Sequence, residues 1–573
     1  MSLVVKNGTV YDPINSIHGE KMDIFIKNGK IVTEDHADSD AKTIDASGKI
    51  IFPGGICIHS HVAGSNVNMG RLLRPEDMKR VIRPRKGYSR AETGSGVPTT
   101  LAVGQRFARM GYSLVCEPSA VPLKSKHTHE ELHDIPIIDK LAFACFEKNW
   151  VILRLLAAGK IEEAAAFAAW LLRATKMFSI KLVNPGGTEA WAWGGNVETL
   201  DQPVPHWGVS SREIITGLAK INELLNLPHS IHLHANMLGV PGNYAITQES
   251  FEAVCDISKG DHVTHRDTVV HMTHVGAFNA FGGESWKNVC SRADTLAKYL
   301  NGINFATLDS GSLVFGDWTT MTADGPVEYQ LHRVNNLKWT NNDAELETGA
   351  GIVPYVYSPK SLANAIMWAI GLELHLLIDD PWKCMLSTDH PNAGPFTHYP
   401  QIIAWLMSKT YRDHTLKTLH KATEKRTIIA TLDREFTLSD VAIVTRTAQA
   451  KSLGLQEKGH LGSGADADVA IYSIDPENDN PAKDPDLVMK TFSNAAYTII
   501  GGTVVVKDGE LVTRRMGKTY WVDPKVDPGF EQTVLANQRP FLEQYYSVNM
   551  RNFAVPESYL TNSTPIKTPT TLA

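Results

Sequence analysis

The chain has 573 residues, 43% of them hydrophobic and 21% charged, with a net charge of −6. Such a length suits one large domain with appendages, or two domains, and the balance is that of a globular enzyme with a sizeable core. The acidic total argues against a general nucleic-acid binder, no apolar run approaches the roughly 20 residues that span a bilayer, and the start MSLVVKNGTVYD is broken too early by Lys6, Asn7 and Gly8 to read as a signal peptide.

Residues 1–54 read as short β-strands. LVVKNGTVYD and MDIFIKNGKIV each carry an Asn-Gly turn signal, and KTIDASGKIIFPG turns at Gly48 and again at Pro53-Gly54. The middle of the chain alternates. GICIHSH, YSLVCEPSAV, KLAFACF, FSIKLVN, SIHLHA, VVHMTHV, INFATLDS and KCMLSTD are eight strand-like runs. Helical patterns lie between several of them, including IEEAAAFAAWLLRAT (161–175) and SREIITGLAKINELLN (211–226). The second opens on the capping box Ser210…Glu213 and repeats Ile214, Leu218, Ile221 and Leu225 at helical spacing. Strand–helix alternation implies a parallel sheet, and eight strands suit a (β/α)8 barrel. β texture returns in GSGADADVAIYSID (462–475) and YTIIGGTVVVKDGELV (497–512), so both ends of the chain predict one composite β-sandwich domain. The expected division is 1–54 plus 440–525 for that domain, 55–439 for the barrel and 526–573 for a C-terminal extension, whose last stretch, TNSTPIKTPTTLA, reads as a loose or docked tail.

Cys57, Cys116, Cys145, Cys255, Cys290 and Cys384 are scattered, with no C-x-x-C pair. This is the pattern of reduced cytoplasmic thiols, neither a disulfide framework nor an iron–sulfur site. Neither a phosphate-binding loop nor a convincing dinucleotide fingerprint is visible. Any redox chemistry linked to this chain is therefore expected in another protein.

The ends of the strand-like runs carry the chemistry. His59 and His61 lie two residues apart, on one side of a strand, and neutral imidazole is a good zinc ligand. Taken alone, the pair is more often two hydrogen-bonded histidines than a metal site. Four later runs also end in ligand-capable residues: Lys181 in FSIKLVNPGG, His234 in SIHLHANMLG, His274 in VVHMTHVGAF and Asp389 in CMLSTDHPN. His232 is expected deeper than His234, as a partner of ligands rather than a ligand. His271 is expected to point away from the site, opposite to His274, and His262 and His265 to be exposed.

H-x-H on strand one, Lys on strand four, His on strands five and six and Asp on strand eight resemble the amidohydrolase superfamily of metal-dependent barrel hydrolases, as does the β-domain stretch GHLGSGADADVAIY (459–472). More narrowly, PGGICIHSHVAG, GRLLRPEDM, IKLVNPGG, HLHANMLG, HMTHVGAFNAFGG and STDHPNAGPFTHYP resemble the A subunits of formylmethanofuran dehydrogenases. The resemblance implies two Zn2+ held by His59, His61, Lys181, His234, His274 and Asp389. Lys181 would be N6-carboxylated, because an ammonium beside two cations would be repelled. It implies Asp389 as general base and acid, and the reversible reaction of formate with methanofuran to formylmethanofuran and water. It further implies a molybdenum- or tungsten-containing B subunit supplying formate, C and D subunits as partners, iron–sulfur subunits, and a cytoplasmic location.

Asn184 is expected to bind substrate. The cationic stretch 70–90, with Arg71, Arg74, Lys79, Arg80, Arg83, Arg85, Lys86 and Arg90 against Glu76 and Asp77, is expected to steer formate or an acidic cofactor tail through Arg71 and Arg74. The competing view of that stretch is a solvated helix face or a subunit contact. Alternatives for the whole chain are the formylmethanofuran hydrolase component of a methylotroph formyltransferase/hydrolase complex, a hydantoinase- or dihydroorotase-like cyclic amidohydrolase, and a scaffold without turnover.

Overall fold

The structure is a computed structural model; it describes residues 2–79, 94, 96–260, 263, 265–341, 350–570 and 572. Eight parallel strands carry the site. In chain order they are Gly55–Cys57, Tyr112–Ala120, Asp139–Cys145, Ser179–Val183, Ile231–His234, Val270–Met272, Ala306–Asp309 and Cys384–Met385, here barrel strands one to eight. Each pairs with the next in parallel register. All eight match the apolar runs expected from the sequence, and their inward and outward faces are both buried, as a parallel sheet covered by helices requires. The helix Ile161–Thr175 appears with the bounds expected, and Ser211–Leu224 begins on the Ser210–Glu213 capping box.

The seam between strands eight and one closes beyond their regular ends. Ser60 and His390 form a parallel bridge, and His61 N–H donates to His390 O at 2.7 Å. Deeper in the seam a side chain does the work of a strand. Gln449 Oε1 accepts from Ile58 N at 2.7 Å, and its Nε2 donates to Leu386 O at 3.1 Å. Gln449 sits on the helix Ala448–Ser452, which continues from a π-helical turn, Ile443–Thr447.

The terminal segments share one nine-stranded sheet, in which Val469–Tyr472 runs antiparallel to Ile50–Pro53. Its strands enclose a small core of their own, with Val5, Val10, Ile24, Ile51, Val469 and Ile499 buried together. Asn28-Gly29 and Asp508-Gly509 make the expected tight turns with positive φ. Asn7-Gly8 does not turn the chain. It lies inside the strand Ser2–Asp12, where Lys6 and Asn7, the latter at φ 65°, make a bulge opposite Asp23, between the pairs Val5–Ile24 and Gly8–Met22. A Cβ on Gly8 would fall 2.2 Å from Ile51 Cδ1, so packing, rather than a turn, calls for glycine there.

The sheet of the barrel gains two more strands. Thr519–Lys525, expected within the β-domain, pairs with barrel strand three through Thr519 and Lys140. Ser563–Pro569, expected as a tail, runs parallel to it along its full length. Lys176 Nζ lies 3.6 Å over the Trp521 ring, and the helix Pro528–Tyr545 packs on Ile161–Thr175. The extension is thus docked, because Trp521, Val555 and Leu560 supply it with a small core of its own.

A buried ionic cluster joins the β-domain to the closed end of the barrel. Lys458 Nζ lies 2.8 Å from Asp139, 3.1 Å from Asp466 and 2.7 Å from Asp468.

Candidate metal centre

At the C-terminal ends of the barrel strands the chain gathers His59, His61, Lys181, His234, His274 and Asp389, all buried. The alternation of strand side chains explains much of this. Lys181, His232, His271 and Thr307 occupy one cross-strand row over strands four to seven. His234, Thr273 and Asp309 stand two residues further on. Lys181 Nζ reaches Thr273 Oγ1 at 3.4 Å.

His271 corrects an expectation. It faces the barrel interior, with Nδ1 2.9 Å from Thr307 Oγ1 and Nε2 3.2 Å from Asp309 Oδ2. Alternation would then send His274 outward, but His274 adopts φ 39° and turns back to the site. Asp389 at φ 47° and Asn184 at φ 42° do the same after strands eight and four. Left-handed backbone at three non-glycine residues is local strain of the kind that collects at functional sites. His265 is half-buried rather than exposed, and His262 lies outside the described residues.

The closest approaches converge on Asp389. Its Oδ1 lies 2.9 Å from His59 Nε2 and 3.2 Å from His61 Nε2, and its Oδ2 accepts from Asn392 Nδ2 at 3.0 Å. Among the described residues Oδ1 takes part in no aligned hydrogen bond. A carboxylate oxygen pressed between two imidazole nitrogens without hydrogen-bond alignment is the arrangement of ligands around a cation. His274 Nε2 lies 3.1 Å from His234 Nδ1, the second close pair. Ligand atoms of His59, His274 and Asp389 all lie within 4.8 Å of one another, as do those of His59, His232 and Asp309. The donor set is therefore one that divalent first-row ions accept. A third acidic group, Asp139, Asp466 and Asp468, already holds Lys458.

Burial and charge set the protonation states. Burial pushes the Lys181 ammonium down to about 8, against the pull of nearby Asp389 and Asp309. Burial opposes a charged His61, but Asp389 and Glu117 outweigh it and raise His61 to about 9. Burial likewise opposes the Asp389 carboxylate, and His274 and His59 nonetheless hold it well below the usual range.

Three functional acids escaped the sequence reading. Glu117 on strand two accepts from Val62 N at 2.8 Å and Ala63 N at 3.0 Å, and its Oε1 lies 3.1 Å from His61 Nδ1. Asp309 accepts from His274 N at 3.1 Å and from the Ser387 hydroxyl. Asp324 Oδ2 lies 3.1 Å from His234 Nε2, with its carboxyl raised to about 6 by burial. Glu117 and Asp309 were visible as lone acids inside apolar runs. Asp324 precedes a helix and carried no signal.

Asn184 is buried and bonded inward, donating to Asp324 Oδ1 at 3.1 Å and accepting from Asn236 Nδ2 at 2.8 Å. Arg71 and Arg74 have protein partners. Arg71 Nη1 pairs with Glu131 at 2.8 Å, and the other Glu131 oxygen accepts from Gly64 N, so this pair braces the loop after His61. Arg74 is buried against Asp317 at 2.8 Å and the Trp318 carbonyl at 3.1 Å. Lys79 is exposed, while Arg80, Arg83, Arg85, Lys86 and Arg90 lie outside the described residues.

Imidazoles and an aspartate drawn to the strand ends of such a barrel define a hydrolase-type enzyme that acts on carbon–nitrogen bonds. The chain belongs to the amidohydrolase family, whose profile matches residues 42–506. It is 50% identical over 569 residues to protein FwdA of Methanocaldococcus jannaschii, with 99% of each chain covered. It is 32% identical over 567 residues to the A subunit of the formyltransferase/hydrolase complex Fhc of Methylorubrum extorquens, covering 98% of this chain and 97% of that one. In the crystal structure of FhcABCD from Methylorubrum extorquens with methylofuran, a chain superposes with a TM-score of 0.88 at 31% identity, covering 99% of this chain and 100% of that one.

Proposed function

We propose that this chain is the amidohydrolase component of a formylmethanofuran dehydrogenase, which reversibly joins formate to the amine of methanofuran. The observation that carries the reading is Asp389 Oδ1 set between His59 Nε2 and His61 Nε2 without an aligned hydrogen bond. The 50% identity over essentially the whole length of FwdA supports the assignment. His59, His61, Lys181, His234, His274 and Asp389 would hold two Zn2+, with Lys181 as the carboxylated bridge. A buried lysine lowered to about 8 keeps a fraction of its amine neutral near pH 7, and neutral amine is the form that adds CO2. Bound there, the ions supply hydroxide at neutral pH and polarise the amide carbonyl.

The chain's own groups do the rest. Asp389 takes the proton of the attacking water and returns it to the leaving amine. In the synthetic direction it removes a proton from the ammonium of methanofuran, since only the neutral amine attacks. Glu117, Asp309 and Asp324 hold His61, His271 and His234 in place. The partners in this reading are a molybdenum- or tungsten-containing B subunit that makes formate, the C and D subunits and iron–sulfur subunits, in the cytoplasm. Among the described residues no helix is long and apolar enough to cross a membrane.

The test is formate release from formylmethanofuran by the purified chain, with metal analysis beside it. Two zinc ions per chain are expected in the wild type, and Asp389→Asn should remove turnover even at zinc concentrations that refill the site. Cleavage of dihydroorotate or hydantoin with formylmethanofuran untouched would overturn the reading. The 32% identical Fhc relative favours a second one, a hydrolase without a redox partner. Isolation of the native complex free of any molybdopterin protein would establish it.

A further inference from the structure

Beneath the site, a file of histidines runs along the barrel interior. His229 Nδ1 lies 2.6 Å from the carbonyl oxygen of Ser452, and His229 Nε2 lies 3.0 Å from His232 Nδ1. His232 Nε2 lies 2.9 Å from His59 Nδ1. All three rings are fully buried or nearly so, and Phe143 packs on both His229 and His232, which fixes their orientation.

A carbonyl oxygen only accepts, so the proton of a neutral His229 sits on Nδ1 and its Nε2 must accept. His232 then donates from Nδ1 and accepts at Nε2, which calls for a proton on His59 Nδ1. With three neutral rings no other distribution puts one proton in every contact. His59 Nε2 is left bare. Asp309 Oδ2, 3.5 Å from His59 Nδ1, also favours N–H at that nitrogen, whereas Asp389 Oδ1, 2.9 Å from Nε2, draws a proton to the other side when no ion is bound, so the file is read from the occupancy of Nδ1.

We propose that His229 is a positioning residue that, through His232, dictates which nitrogen of His59 carries the proton, so that His59 offers a lone pair from Nε2 to the site. The inference rests on His59 being a metal ligand for its consequence, while the tautomer order itself is a property of the metal-free chain. His232 uses both nitrogens in the file and so has none left for an ion, although it stands near enough to His59 and Asp309 to look like a ligand.

Two substitutions separate this role from packing. Gln at 229 can place its amide oxygen where Nε2 stood and accept from His232. Asn is too short for that and can only keep the bond to Ser452. Full-length wild-type, His229→Gln and His229→Asn chains, labelled with 15N in histidine and stripped of metal, are compared by long-range proton–nitrogen correlation. Single histidine variants supply the assignments. Wild type and His229→Gln should show His59 Nδ1 protonated throughout, whether or not Asp389 holds a second proton on Nε2, whereas His229→Asn should show Nδ1 bare in part of the molecules. Zinc affinity by chelator competition should then fall about 10- to 100-fold in His229→Asn and stay within about threefold in His229→Gln.

A wild-type His59 with Nδ1 bare, or identical His59 signals in all three chains, overturns the proposal. So does an equal loss of zinc affinity in both variants. A wild-type chain that binds no zinc defeats the proposed function instead, and the tautomer spectra still decide the order of the file.

Discussion

Glu117→Gln should cripple metal binding with almost no change of shape. Glu117 Oε2 accepts from two backbone N–H groups, Val62 at 2.8 Å and Ala63 at 3.0 Å, so a glutamine must keep its oxygen there. Its NH2 is then forced to the Oε1 position, 3.1 Å from His61 Nδ1 and 3.3 Å from Ser119 N. Two donors meet at each contact. His61 escapes by giving up its Nδ1 proton and keeping the one on Nε2, the nitrogen that faces Asp389 at 3.2 Å. That closes the lone pair an ion would need. A lost hydrogen bond to a charged group is worth about 1.5–3 kcal/mol, which is a weakening of zinc binding by about 10- to 100-fold. Outer partners of metal-binding histidines have effects of that size. Chelator competition on metal-stripped chains reads the affinity directly, and formate release should fall in step at limiting zinc. A Glu117→Gln chain that binds zinc like wild type would refute the reasoning, because it would mean that Glu117 does not set the state of His61.

Further outcomes concern stability. Lys458→Met leaves Asp139, Asp466 and Asp468 buried without their shared cation and should cost about 3–5 kcal/mol. Denaturant unfolding should show a clear drop in midpoint, and a loss under about 1 kcal/mol would mean that Lys30 and Lys518, at 2.9 and 3.0 Å from Asp466, carry the cluster. His129 is lowered to about 4 by burial, with Nε2 on the Thr175 carbonyl. Its folded pKa lies below the unfolded value near 6.5, so its share of stability is complete above about pH 6.5 and is lost as pH falls toward 4. The share is about 3 kcal/mol. His129→Gln should flatten that part of the pH–stability curve, and parallel curves for the two chains would contradict it. Ser210→Ala removes the cap of the helix Ser211–Leu224 and should cost about 1 kcal/mol in thermal or urea unfolding.

The barrel was legible because each of its strands is a dense apolar run buried on both faces, so the sequence carries the signal without help from distant residues. The six candidate ligands were legible for a related reason: five stand at or just past the end of such a run, and Lys181 is a lone charge inside one. What stayed hidden depends on pairing across the chain. Glu117 and Asp309 look like misplaced charges until His61, His271 and the loop after strand one arrive beside them. The inward turn of His274 could not be foreseen either, since alternation was carried through a residue whose backbone leaves the strand conformation. Asn7-Gly8 misled in the opposite sense: a strong turn signal was absorbed as a bulge, because Ile51 packs where a side chain would go. Arg71 and Arg74 read as free charge only while Glu131 and Asp317, far off in sequence, were out of view.

Gln449 has a consequence for synthesis. The last barrel strand leaves the ribosome some sixty residues before the amide that locks it to the first. Until that helix emerges, the edges at Ile58 and Leu386 remain open to any strand that passes, including one from a neighbouring nascent chain. A protein truncated just after Asp389 would hold every candidate ligand and still lack the clasp that shuts the ring.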